Sequence, residues 1–279
     1  MTIDERYAIV IISHKRADDQ RTLKSMREAN YRGDWYIMID DQDPQGQKYI
    51  ENYGDHVVIY DKERQYGLTD SMDNFHKLCT DVYARNAVME WAKGMGYKYV
   101  FILDDDITHF RFRFARGEKL LSAHVTDLTE VTDMVYDFLE STNALAFSFA
   151  GSNGMFGGAK GSQWKTRLDR RMYQAMFIRV CDKRFSGTQN CDENFCMLEG
   201  KRGAGIFQSK EITISTPERG SNAGGISEAY QDSGMYVANF YSILCMPSSH
   251  KLKPYKKDFH CYVKRSATVP MILNPRWKK

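Results

Sequence analysis

No stretch of this 279-residue chain approaches the ~20 consecutive apolar residues that a bilayer requires. No N-terminal segment joins a basic start, an apolar centre and a small-residue cleavage site. The sequence therefore reads as a cytoplasmic protein with no membrane partner. Cysteine is sparse: Cys79, Cys181, Cys191, Cys196, Cys245 and Cys261 are scattered, with no CxxC pair and no histidine at zinc-finger spacing. Reduced thiols are expected, and a disulfide or zinc framework is not. Two nucleotide signatures are also missing. Gly151, Gly154, Gly157, Gly158 and Gly161 follow an apolar run but are not spaced as GxGxxG, and no GxxxxGK[ST] occurs, which argues against a Rossmann cofactor site and a P-loop. These glycines read as an ordinary flexible loop or as a lid over a bound substrate. No internal repeat or low-complexity linker divides the chain.

What is present begins with an uneven charge. The net charge is +3, yet residues 251–279 hold nine Lys/Arg against Asp258 alone, giving +8 and leaving −5 for the 30 basic and 35 acidic residues of the rest. The chain thus reads as one domain, residues 1–250, with a basic aromatic segment, residues 251–279. Lys251, Lys253, Tyr255, Lys256, Lys257, Phe259, Tyr262, Lys264, Arg265 and Trp277 give that segment both cations and stacking surfaces, which suits a polyanion such as DNA. A solvated terminus is the plainer reading of a charge run.

Apolar runs alternate with helical patterns along the first half. Tyr7–Ile12, Trp35–Ile39 and Val57–Tyr60 read as buried strands, and segments around 20–29, 47–53 and 70–95 read as helices. Short connections between them predict an α/β fold with a mostly parallel central sheet flanked by helices. The first strand opens into Ser13-His14-Lys15-Arg16, and the second into Asp40-Asp41. Ligands of open α/β sheets bind at such carboxyl ends, so these residues are candidate nucleotide or phosphate contacts. Later segments 127–141 and 227–236 read as helices, and 144–149, 173–180 and 241–246 as strands.

The most informative stretch is Tyr97 to Ile107, an apolar and aromatic run that ends in Asp104-Asp105-Asp106. Side chains alternate across a strand, so Asp104 and Asp106 are expected on one face and Asp105 on the other. Adjacent carboxylates with little other ligation suit a hard divalent cation, Mn²⁺ or Mg²⁺, that completes its shell with water and substrate phosphate. His250 is the histidine best placed to add a ligand; His76, His109, His124 and His260 are weaker choices. The following run, His109 to Arg116, alternates aromatic and basic residues, which predicts a half-buried strand with a cationic face. That face is either solvated or lies along phosphates.

Taken in order, these features resemble the glycosyltransferase A (GT-A) fold, whose hallmark is an Asp-x-Asp motif at the end of a nucleotide-binding half-sheet. Asp104-Asp105-Asp106 matches the motif, Ala84-Arg85-Asn86 precedes it, and Cys191-Asp192-Glu193-Asn194-Phe195 is similar to the Glu-Asp-x-Asp-Phe element beside the acceptor. The chain most resembles phage glycosyltransferases that occur beside TET-type 5-methylpyrimidine dioxygenases and add sugars to hydroxymethylated DNA bases. The resemblance implies a nucleotide-binding N-terminal half, an acceptor-side C-terminal half, and a nucleotide-sugar donor, expected to be a UDP-sugar. It implies Asp104 and Asp106 on the metal, with His250 as the candidate third ligand. Ser13, His14, Lys15, Arg16, Asp40, Asp41, Arg85, Asn86, Asp104 and Asp105 are expected around the donor. Asp192 or Glu193 would serve as the base for the acceptor hydroxyl of 5-hydroxymethylcytosine, in the host cytoplasm where a phage encodes the enzyme. Cys191 and Asn194 stand where that element often carries acids, which leaves Asp192 and Glu193 open as alternatives. Other readings of the same residues are a glycosyltransferase for a polysaccharide or small acceptor, a nucleotidyltransferase, and a non-catalytic DNA-binding protein.

Overall fold

Twelve strands and seven α-helices are seen in a computed structural model that describes residues 5–152, 158–161, 164, 168–169, 171–172, 174–217, 237–255 and 258–263. The strands are Tyr7–Ile12 (β1), Trp35–Asp40 (β2), Val57–Tyr60 (β3), Tyr99–Asp104 (β4), His109–Arg116 (β5), Lys119–His124 (β6), Ala146–Gly151 (β7), Leu168–Asp169 (β8), Ala175–Arg179 (β9), Ile206–Ser215 (β10), His250–Tyr255 (β11) and Asp258–Val263 (β12). The helices are Arg21–Glu28 (α1), Gly46–Tyr53 (α2), Lys62–Leu68 (α3), Val82–Met95 (α4), Leu128–Thr142 (α5), Cys191–Lys201 (α6) and Val237–Cys245 (α7).

Ten strands form one sheet in the order β3-β2-β1-β4-β9-β7-β10-β5-β6, with β8 on β10. The pairs β1–β2, β1–β4, β2–β3 and β7–β10 are parallel, and those joining β4 to β9, β9 to β7, β10 to β5, β5 to β6 and β8 to β10 are antiparallel. Followed along the sheet, only β5, β8 and β9 run against the other seven, which is the mixed α/β sheet, mostly parallel in sense, that the sequence predicts. A strand covered on both faces is a continuous apolar run. All six residues of β1 are accordingly buried, as are the first five of β4.

The pleat sends alternate residues into two cores. Tyr7, Ile9, Ile11, Tyr99, Phe101 and Leu103 pack with Leu23 and Met26 of α1 and with Leu128, Val131, Val135 and Leu139 of α5. Ala8, Val10, Ile12, Val100 and Ile102 pack on the opposite face with Val82, Val88 and Met89 of α4 and Phe195 of α6. Extended to its last residue, β4 places Asp104 on the α4 face, and Ile12 is its register partner on β1. The next position belongs to the other face, where α1 and the loop after β1 stand.

Three expectations are corrected. Residues 70–81 are not helical: Asp70 and Asp73 accept from the backbone N–H of Met72 and Phe75 at 3.0 and 2.9 Å, and Met72 and His76 have φ of 60° and 51°. Such local bonds compete with helix formation. Residues 241–245 belong to the helix Val237–Cys245, with Met246 just beyond it, and not to a strand, because a short apolar run has no period that separates the two. Asn86 is expected at a donor, yet its amide donates to Thr69 Oγ1 at 2.9 Å and to Phe185 O at 3.0 Å, and its carbonyl accepts from Phe185 N at 2.7 Å. Its hydrogen-bonding capacity is spent on tying α4 to the segments at 69 and 185. The expected helix 227–236, Gly154 and Gly157 of the expected lid, Lys256 and Lys257, and residues 264–279 of the basic segment lie outside the described residues. The remainder of that segment forms the antiparallel pair β11–β12, and among the described residues no helix is long and apolar enough to cross a membrane.

Asn86→Ala would leave the buried Phe185 amide without its acceptor. It is expected to cost about 2–4 kcal/mol and to lower the thermal midpoint by several degrees in scanning calorimetry. An unchanged midpoint would contradict this role.

Candidate active site

The strand order turns back between β1 and β4, and the crevice outside the carboxyl ends of strands at such a point is where open α/β sheets take ligands. Both strands here end in charged loops. Asp105 lies buried beneath the β1 loop: Ser13 Oγ donates to its Oδ2 at 2.7 Å, and Arg16 Nη1 is ion-paired with its Oδ1. Ser13 is itself fixed by Gln20 Nε2 at 2.8 Å and Tyr49 OH at 2.7 Å, and Tyr49 OH accepts from the Arg16 N–H at 2.9 Å. Burial pushes the Asp105 carboxyl up to about 6, although Arg16 and Ser13 pull the other way.

The acid turn is pinned from below by α1. Thr22 Oγ1 donates to Asp104 O at 2.5 Å and accepts from Ile107 N at 2.9 Å; Thr22 N donates to Asp105 O at 3.2 Å and Ser25 Oγ to Ile107 O at 2.9 Å. These bonds hold the backbone on both sides of Asp105 and Asp106.

On the α4 face, Asp104 Oδ1 lies 3.4 Å from Nη2 of Arg85, which is 3 % exposed. Arg85 also pairs with Asp81 at 2.6 Å, and its guanidinium lies 6.0 Å from the Phe185 ring centre. Burial raises the Asp104 carboxyl well above the ordinary range, and Arg85 opposes that rise while Asp81, Asp106 and Asp105 add to it. Asp192, in the first turn of α6, is raised by burial and held back by Arg85. One guanidinium therefore couples the acid turn to α6. Glu193, next along α6, stands 3.6 Å from Nε2 of His250, whose Nδ1 is 2.9 Å from Met246 O.

The end of β2 forms a second polar group. His14 Nδ1 is 2.7 Å from Asp40 and 3.4 Å from Asp43, Lys62 Nζ donates to Asp40 at 3.1 Å, and Lys15 N donates to Asp43 at 2.8 Å. Burial pushes the Asp40 carboxyl up, but His14 and Lys62 outweigh it and hold it below the ordinary range. Asp41 turns aside to accept from the Lys62 N–H at 3.0 Å.

The structure thus brings Ser13, Arg16 and Asp105 together, then Arg85, Asp104 and Asp192, then His14, Asp40 and Lys62. It pairs His250 with Glu193 and gives Asn86 a packing task. Among the described residues the one set of three His, Cys, Asp or Glu ligand atoms lying within 4.8 Å of one another is His14, Asp40 and Asp43. Asp104, Asp106 and His250 do not make such a set. For a hard cation, His14–Asp40–Asp43 offers mixed nitrogen and oxygen ligation already shared with Lys62, and Asp104 with Asp106 offers oxygens whose mutual repulsion a cation would relieve. Sequence reading missed Asp81, Lys62, Tyr49 and Thr22. Only Asp81 carried a visible signal, its i,i+4 spacing to Arg85.

Comparison with solved structures finds the same fold in glucosyl-3-phosphoglycerate synthase from Mycobacterium tuberculosis. The form described as in complex with Mg²⁺ and uridine diphosphate aligns with a TM-score of 0.50 and 10% identity over 93% of this chain and 87% of that one. The form with Mn²⁺, uridine-diphosphate-glucose and phosphoglyceric acid aligns with a TM-score of 0.50 and 10% identity over 96% and 88%. No curated protein sequence matches the chain significantly. Residues 7–225 match the family model described as TET-Associated Glycosyltransferase, so the chain belongs to that family and is a glycosyltransferase.

Proposed function

We propose that this enzyme transfers a sugar from a nucleotide-sugar donor, a UDP-sugar, to the hydroxymethyl group of 5-hydroxymethylcytosine in phage DNA, with Mn²⁺ or Mg²⁺ at the acid turn. The observation that carries the reading is the meeting of Asp104, Asp105 and Asp106 with Arg16, Arg85 and Asp192 at the carboxyl edge of β1 and β4. The family's association with TET enzymes supports the DNA acceptor. The UDP-glucose and Mn²⁺ of the synthase that shares the fold support the donor and the metal.

Charge supports a metal independently. Asp81, Asp104, Asp105, Asp106 and Asp192 share the neighbourhood of Arg16 and Arg85, and both guanidiniums are already committed to carboxylates. A diphosphate entering there meets more negative than positive charge. Asp104 and Asp106 would hold the ion, which supplies the cation that offsets charge on the departing diphosphate.

The protein's own groups divide the remaining work. Ser13 and Arg16 keep the β1 loop closed on Asp105, and His14, Asp40 and Lys62 offer polar partners to the nucleoside. Asp192 takes the acceptor hydroxyl's proton as the oxygen attacks the anomeric carbon and the bond from that carbon to the diphosphate breaks. A carboxylate lifted by burial is a stronger proton acceptor than an exposed one, whereas Glu193 is engaged with His250. A base in duplex DNA would be flipped out to reach this group.

Purified enzyme with Mn²⁺, a panel of nucleotide sugars and hydroxymethylcytosine DNA is expected to release nucleoside diphosphate and to form glycosylated DNA. Product only with polysaccharide or small acceptors would overturn the acceptor assignment, and nucleotide transfer in place of sugar would overturn the reaction. Asp106→Asn is expected to lower kcat by roughly 10²–10⁴-fold, with chelator abolishing the wild-type activity and Mn²⁺ restoring it. Asp192→Asn is expected to lower kcat by about 10²–10⁴-fold with little change in the KM for donor, and Glu193→Gln by far less. The reverse ranking would make Glu193 the base.

A further inference from the structure

We propose that Arg111 and Arg113 of β5 form a phosphate-binding ledge for the DNA strand that carries the acceptor base, an assignment that rests on the DNA reading above. The residues leave the acid turn directly: β5 begins at His109, three positions after Asp106, and Thr108 N donates to Ser215 O at 2.8 Å at the same edge of the sheet.

Register fixes the face. Phe110 and Ile214 are opposed on β5 and β10 and sit in the α1–α5 core, so the intervening pair Arg111 and Thr213 points to the opposite face. Across β10 and β7, Thr213 lies opposite Ala150, which alternates with Phe149 of the α1–α5 core. Asp104 follows Leu103 of that same core and likewise points away from it. The arginines and the reacting group therefore share one side of the sheet. On β6, His124 is the partner of Arg111 and Ser122 the partner of Arg113; on β10, Thr213 is the partner of Arg111, and the register continues to the exposed Glu211 beside Arg113.

Arginines on a protein surface usually find carboxylates, as Arg16 and Arg85 do. Here the contacts are of another kind: Arg111 Nη2 lies 3.2 Å from His124 Nε2, and Arg113 Nη2 donates to Ser152 O at 2.7 Å. Arg111 Nε and Arg113 Nη1 are buried with no hydrogen-bond partner among the described residues. Arg113 is pushed down, first by burial and then by the charge of Arg111. His109 and His124, ring centres 5.2 Å apart, lie on the same face. Two neighbouring guanidiniums with buried, unsatisfied N–H groups favour an anion that joins them.

The spacing selects the anion. Residues two apart on a strand are about 7 Å apart, a step comparable to that between successive phosphates of one nucleic-acid strand, and each planar guanidinium can bind a phosphate through two donors.

The test measures DNA affinity against salt for the wild-type protein, the Arg111→Gln/Arg113→Gln pair, the Arg111→Lys/Arg113→Lys pair, and Lys24→Ala as an exposed helix control. The glutamine pair is expected to bind roughly 10–100-fold more weakly at low salt, with the slope of log affinity against log salt smaller by about 1.8, or 0.9 for each phosphate no longer neutralised. The lysine pair and the control keep the wild-type slope. If the glutamine pair shifts the thermal midpoint, each single substitution is read instead, with a slope change of about 0.9. A glutamine pair that retains the slope, or a lysine pair that loses it, overturns the ledge. A wild-type protein with no salt-dependent DNA affinity overturns the DNA reading itself, which is a different outcome.

Discussion

Three consecutive carboxylates at the end of a buried strand stand together only because cations reach them from two other elements. Burial and mutual repulsion both favour their neutral forms. Arg16, from the loop after β1, meets Asp105; Arg85, from α4, meets Asp104. The two arginines approach from opposite faces of β4, as the pleat requires for neighbouring residues. The arrangement therefore depends on β1 and β4 being paired in the register that sets Ile12 against Asp104. A slip by one residue would turn Asp104 toward Arg16 and leave Arg85 facing apolar Leu103. Thr22 and Ser25 of α1 bond the backbone of the turn and oppose such a slip.

How much of this was legible follows from what each feature leaves in a sequence. The strands β1 and β4 were plain, because a strand covered on both faces must be apolar at every position. The opposite facing of Asp104 and Asp105 was also legible from the pleat. What no local pattern held was the identity of the partners, since Ser13, Arg16 and Tyr49 meet Asp105 only through the pairing of distant segments. Asn86 was misread for a related reason. A buried amide that satisfies a distant backbone has the same local signature as one that awaits a ligand, and only the position of Phe185 tells them apart. Residues 70–81 carry helix-compatible spacing but also Asp70, Ser71 and Asp73, whose side chains capture the backbone locally.

Asp73 shows how that irregular loop contributes. Its Oδ2 accepts from Thr188 Oγ1 at 2.9 Å and from Tyr241 OH at 2.5 Å, joining the loop to the segment before α6 and to α7. Asn190 ahead of α6, at φ 52°, donates to Ala238 O at 2.8 Å. The first turn of α6, with Asp192 and Glu193, is thus anchored to two neighbours that a continuous helix over 70–95 would not have supplied. The position of Asp192 thus depends in part on the same loop that periodicity does not reveal.

Charge is distributed unevenly over the sheet, and the unevenness has a direction. On the β1–β4 side, arginines are neutralised by the acids they hold in place, so the attraction left for a donor diphosphate is small and a metal ion becomes necessary. On the β5 side, Arg111 meets a histidine ring and Arg113 a backbone carbonyl. A nucleotide sugar and a polynucleotide are both anions, and a surface uniformly positive would bind either one at either place. On the proposed reading, withholding free cationic charge from the donor side, where a metal can supply it on binding, and leaving it on the acceptor side would keep the two anions in separate places. The acid turn separates them: Asp104 to Asp106 repel a phosphate backbone that lacks a metal, so DNA held along β5 would present its base, and not its phosphates, to Asp192.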